Sequence, residues 1–267
     1  MKTITTEFRG KKRTFSLPEE WKEITPDNFG PVTEMLPALK KGLYADEQMR
    51  RLCKAGKREW RKTGRDQKLL LAMQLGEIAR QRPENSENLT GKIRLKGKTY
   101  EGFSRMFSNM TWGEFIWADT FFLLGRPEEL AATLWREKKK GVRVPFDEHG
   151  LQQRTKLFRK HMPPEKTAMI LLNYSAVRKT ALEDIYTELF PRTTEVKDDI
   201  PDEYKKTETK KEEENAGAKF SWFETHSELM GERFFLAEKY ENARLSTVLM
   251  HLNSQARKAK ESRRKRK

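Results

Sequence analysis

The residue types that most often carry chemistry are sparse in this chain and poorly spaced for it. Four histidines, His149, His161, His226 and His251, are scattered through 267 residues, and no two stand at the i, i+4 spacing that puts a pair of imidazoles on one helical face. They read as surface or loop histidines. Glu114 and Asp119 are two acids in an apolar stretch, the residue type suited to acid/base work. Five residues apart on a helix they point about 140° apart, so a helix cap and a solvent-facing or partnered acid fit them better than catalysis. The chain has no phosphate-cradling G-x-x-x-x-G-K-[ST], no dinucleotide G-x-G-x-x-G, no H-E-x-x-H and no G-x-S-x-G. Cys53 is the only cysteine, which excludes an intrachain disulfide and any multi-cysteine zinc site within one copy, and favours a reducing cytoplasm. The expectation is no enzyme, no metal and no cofactor.

Binding residues are more evident. The net charge of +15 is concentrated in two stretches, Arg50–Lys68 with nine bases and two acids, and Ala256–Lys267 with eight bases and one acid. Arg50–Lys68 suits phosphates, with Trp60 placed to stack on a base. It equally suits a charged helix whose Leu52 and Trp60 face a core while the lysines stay wet. In the tail, Arg257, Lys258, Lys260, Arg263, Arg264, Lys265, Arg266 and Lys267 have no bulky apolar neighbour to pack with. That segment is read as a disordered basic tail, 256–267, which meets an acidic protein surface, nucleic acid or nothing.

Between Pro191 and Lys219 the composition breaks: seven Lys/Arg, nine Asp/Glu, two prolines and one aromatic. So little apolar surface does not offset the entropy of ordering, and 191–219 reads as a flexible linker. After it come Trp222, Phe223, Phe234 and Phe235, with Leu245, Val248 and Leu249 on a helical stripe. A segment of 220–255 is marginal as a core of its own. These seven side chains are expected to contact a partner or to fold back on the body.

The elements that must position these residues are mostly helical. Thr3–Phe8 and Arg13–Leu17 read as a small N-terminal hairpin, and Lys92–Tyr100 as a second short one. Pro18 opens a turn that Pro26, Gly30 and Pro31 cut short. Weak helical periodicity follows over Val32–Leu43 and Asp46–Arg61, and a compact apolar helix over Leu69–Arg80. Thr111 and Glu114 form a capping box ahead of WGEFIWADTFFLL, apolar on nearly every side and so expected between other helices. Pro127 opens EELAATLWREKKK as one helix with lysines at its negative pole. Gly141–Gly150 reads as loop, Leu151–His161 as a short helix, Glu165–Phe190 as a long core helix stopped by Pro191, and Arg244–Lys260 as the last helix. The expected core is Trp112, Phe115, Ile116, Phe122, Leu134, Ile170, Leu171, Tyr174 and Ile185. The fold class is therefore mainly α: a helical body over 1–190 with an N-terminal β hairpin, a linker, a small C-terminal helical module and a tail. No run approaches a membrane span, and the start lacks the apolar core of a secretory signal.

LPEEWKEITPDNF, TWGEFIWADTFF, VRVPFDEH, ILLNYSAVRKTALEDIYTELFPR and SWFETHSELMGERFF followed by LSTVLMHL together resemble uncharacterised Bacteroidetes tailed-phage and prophage proteins. In layout these look similar to tail assembly chaperones. The resemblance implies a non-enzymatic factor in the bacterial host cytoplasm that coats the tape measure protein, recruits tail tube subunits and leaves before the particle is finished. With the C-terminal aromatics as the partner contact, truncation at about Pro191 is expected to leave a folded body that no longer captures its client. The alternatives are a basic nucleic-acid-binding phage protein, and a connector or tail-completion protein that oligomerises into a ring.

Overall fold

The computed structural model describes residues 2–8, 11–41, 45–190, 222–231 and 233–265. The expected linker, the Phe234 side chain, Arg266 and Lys267 lie outside the described residues. The chain is mainly helical, with a two-stranded ribbon of β1 (Lys2–Phe8) and β2 (Lys11–Leu17) and a separate four-stranded antiparallel sheet. That larger sheet lies mid-chain, not at the N-terminus. No helix among the described residues is long and apolar enough to cross a membrane.

Two cores form. The first gathers Leu17, Trp21, Phe29, Met35, Met49 and Trp60 with Leu71, Leu75 and Ile78. These come from β2, a 3-10 turn at Trp21–Glu23, α1 (Pro26–Lys40), α2 (Asp46–Leu52), α3 (Lys57–Lys62) and α4 (Arg65–Arg80). Helix α1 starts where a break was expected, because Asn28 Oδ1 accepts the Thr25 N–H at 2.7 Å and Pro26 suits a first helical position. It then runs through Pro31 and Pro37. Burial of Phe29, Val32, Met35 and Leu36 offsets the two missing backbone donors.

The second core is larger and holds the sheet β3 (Ile93–Leu95), β4 (Lys98–Glu101), β5 (Arg136–Lys139) and β6 (Val142–Arg143), paired in that order. Against it pack α5 (Trp112–Leu123), α6 (Pro127–Leu134), α7 (Leu151–His161) and α8 (Pro164–Arg178). EELAATLWREKKK does not stay helical. It turns at Trp135, whose buried indole donates to the Gly91 carbonyl at 2.9 Å, and continues as β5. Lys140 and Gly141, both at positive φ (49° and 82°), then make a two-residue hairpin loop into β6. Lys96 and Gly97 do the same between β3 and β4.

Helix α8 divides the two cores, sending Met169 and Leu172 to the first and Ile170, Tyr174 and Val177 to the second. It is shorter than the expected Glu165–Phe190. After Arg178 the chain makes one wide π turn, Lys179–Glu183. A π turn spends an extra residue, which shifts the apolar stripe by one. Tyr186 is therefore buried and Ile185, expected in the core, is 50 % exposed. Phe122 and Leu171 are only partly buried, while the other expected core residues are buried as anticipated.

The C-terminal elements are α9 (Trp222–Met230), a 3-10 turn at Phe234–Leu236, α10 (Ala237–Glu241) and α11 (Leu245–Lys265). They pack on the body. Trp222, Leu245, Val248, Leu249 and Leu252 are buried in the second core. The backbone joins as well, with Leu245 N–H donating to Met110 O at 3.1 Å and Trp112 N–H to Ala243 O at 2.9 Å. The stretch read as a disordered tail continues α11 as far as Lys265.

Candidate interaction surfaces

Helix α5 carries both acids singled out in the sequence, and both are 0 % exposed. Thr111 Oγ1 accepts the Glu114 N–H at 3.3 Å, as a cap should, but the Glu114 carboxylate does not return to the backbone. It holds Arg136 Nη2 at 2.7 Å and both terminal nitrogens of Arg143. Two guanidiniums on one carboxylate leave a positive excess in the interior. Burial pulls Arg136 down to about 10, and its Nε and Nη1 find no hydrogen-bond partner among the described residues.

Asp119 is a different junction. It accepts Arg178 Nε at 2.6 Å, Arg178 Nη2 at 3.2 Å, the Tyr174 hydroxyl at 3.2 Å and the Trp222 indole N–H at 2.6 Å. Burial, reinforced by the Asp119 charge, pushes the Tyr174 phenol well above its ordinary value, so it remains a donor. One carboxylate thereby ties α5, α8 and α9 together. Neither acid is open to a substrate, and their roles are to hold elements in register.

The histidines differ in part from the expected pattern. His149 and His251 are exposed, but His226 is buried, with Nδ1 accepting the Trp112 indole N–H at 3.1 Å and Nε2 3.7 Å from Glu241 Oε1. Burial depresses its pKa below 6.5, with Glu241 opposing. No group of His, Cys, Asp and Glu among the described residues is arranged to hold a metal ion.

In Arg50–Lys68 the packed alternative is the one observed: Trp60 is buried and its indole N–H donates to Asp46 Oδ1 at 2.8 Å. Arg50, Arg51 and Lys68 pair with Glu47, Glu34 and Asp46. The ring that was to stack on a base is thus occupied.

Of the seven expected partner contacts, Trp222 is in the core, where Asp119, Trp112 and Phe115 offer it a site, and Leu245, Val248 and Leu249 are buried in the same core. Phe223 and Phe235 remain exposed, Phe235 at 73 %. Phe223 stands edge-on to Trp117 of α5, centroids 5.1 Å apart at 82°. The two rings border a cleft of about 450 Å³ that also includes Phe146, His149 and His226.

A second exposed surface was missed. Helix α4 buries Leu71, Leu75 and Ile78, yet Leu69, Leu70 and Met73 are 55 %, 58 % and 63 % exposed on the other side. At 3.6 residues per turn these three fall within an arc of about 100°. The run Leu69-Leu70-Leu71 carried the signal, since three consecutive residues in a helix cannot all face one core. The expected compact apolar helix is in fact apolar on two opposed sides. No family model matches the chain, and no curated protein or solved structure matches it either.

Proposed function

We propose that this chain is a non-enzymatic protein-binding factor, a phage tail assembly chaperone or a closely allied morphogenesis factor working in the bacterial host cytoplasm. Its client is an apolar helical stripe of a tape measure protein, to which it brings tail tube subunits. The observation that carries the reading is the outer face of α4, where Leu69, Leu70 and Met73 lie in water on an ordered helix. Exposed leucines singly mean little, but a continuous stripe on a rigid helix suits pairing with another helix. The contact thus moves from the arm suggested by the sequence to the body itself, since most of the arm's apolar residues are packed.

The test is co-expression of the full chain with the tape measure protein. The wild type keeps the client soluble and co-purifies with it. Leu69→Glu/Met73→Glu, which alters only exposed positions, leaves the helical circular dichroism unchanged and loses the client. Equal protection by the variant overturns the proposal.

A further inference from the structure

The cleft beside Trp117 and Phe223 is strongly acidic. Asp147 and Glu148 enter it from the loop before α7, Glu238 and Glu241 enter it from α10, and among the described residues no lysine or arginine lines it. Among the described residues Glu148 and Glu238 make no salt bridge, and Glu241 reaches only His226. Like charges around one opening raise the local attraction for a cation, and aromatic edges beside them suit the stems and heads of lysine and arginine. His226 adds an independent sign of an occupant. Its side chain is nine-tenths buried, it lines the cleft, and its Nε2, 3.7 Å from Glu241 Oε1, has no hydrogen-bond partner among the described residues. Because Nδ1 accepts from Trp112, that nitrogen is the donor, and a peptide carbonyl entering the cleft would satisfy it.

The chain carries a matching cation. Past Leu252, Asn253 Oδ1 still accepts the Glu188 and Leu189 N–H groups, and from there on Arg257–Lys265 are all exposed. Lys260 pairs with Glu188, whereas Arg257, Lys258, Arg263, Arg264 and Lys265 make no ion pair among the described residues. This basic rod cannot enter its own cleft. Arg244 bridges to Thr111, which lines the cleft, so α11 starts at the cleft's edge. At about 1.5 Å per residue its basic positions then lie roughly 18–30 Å along the axis from Leu245. A continuous helix has no hinge to bring them back.

We propose that the basic end of α11 docks in the acidic cleft of a second copy of this chain, giving head-to-tail self-association. Such a contact uses two different surfaces, so it propagates into a ring or a filament rather than stopping at a dimer. This inference stands independently of the chaperone reading.

Sedimentation velocity and light scattering of the full chain test it. The wild type assembles with rising concentration at low salt and dissociates at high salt, where screening weakens charge pairing. Glu148→Lys/Glu238→Lys removes the cleft, Arg263→Glu/Arg264→Glu removes the rod, and each alone is weakened at least about tenfold because like charges then face each other. Mixed in equal amounts, the two variants regain association, because the intact rod of one meets the intact cleft of the other. A monomeric wild type at low salt, variants that assemble like wild type, or a mixture that stays monomeric overturns the proposal. So does an α11 whose basic end binds duplex DNA without self-association.

Discussion

Replacing Trp222 with alanine removes the side chain that closes the second core from the C-terminal side. Its indole stacks edge-on against Trp112 and Phe115, with centroids 5.5 and 5.1 Å away, and lies 5.8 Å from Phe190. Truncating a buried aromatic to alanine costs about 3–5 kcal/mol, through lost transfer energy and the cavity left behind. The indole N–H is also one of four donors on buried Asp119, and a hydrogen bond to a charged group contributes about 1.5–3 kcal/mol. Trp222→Phe isolates that second contribution, keeping the ring packing and losing the donor, and is expected to cost the smaller amount alone. The assay is urea unfolding of the full chain by far-ultraviolet circular dichroism at pH 7.5. Truncation after Phe190 uncovers Trp112 and Phe115, so the shortened body should unfold at much lower urea, contrary to the survival expected from sequence. A Trp222→Ala protein within about 1 kcal/mol of wild type would refute the reasoning, since an exchange of that size is typical of an ordinary surface site.

Glu114→Gln leaves Arg136 and Arg143 buried without their carboxylate, and should destabilise the fold by about 3–5 kcal/mol in the same assay. A loss below about 1 kcal/mol would contradict the Glu114 account. Because His226 has a folded pKa below 6.5, the unfolded chain takes up a proton first as pH falls. Its contribution is therefore intact above pH 6.5 and is lost on acidification through the lower folded pKa. His226→Gln should flatten the dependence of the urea midpoint between pH 7.5 and pH 5, and an unchanged slope would count against the Trp112–His226 bond. Burial pushes the Cys53 thiol up to about 12. Native alkylation at pH 8 should be on the order of 100-fold or more slower than in urea, because the thiolate is the reacting form. Equal rates would place Cys53 in the open.

Legibility in the sequence followed how local the determining interaction was. The capping threonine at 111, the apolar run after it and the hairpin at Lys92–Tyr100 depend on near neighbours, and the observed elements match them. The end of α6 does not, since Trp135 turns out of the helix toward Gly91 and Arg136 toward Glu114, partners 44 and 22 residues away. The C-terminal aromatics were readable as sticky but not as placed. What fixes Trp222 is Asp119, 103 residues earlier, and nothing in the spacing announces that pairing. The α4 stripe was legible in principle from its three leucines. The acidic cleft was not, because it joins the loop at Asp147–Glu148 to α10 across the linker.

The central claim, that the outer face of α4 is where a helical client binds, is tested most directly by titrating the purified tape measure protein into the full chain in a calorimeter. The account predicts saturable binding by wild type, with a heat-capacity decrease from apolar burial. It also predicts a loss of about 100-fold or more in affinity for Leu69→Glu/Met73→Glu, since two carboxylates would be buried without partners. Unchanged affinity in that variant would contradict it.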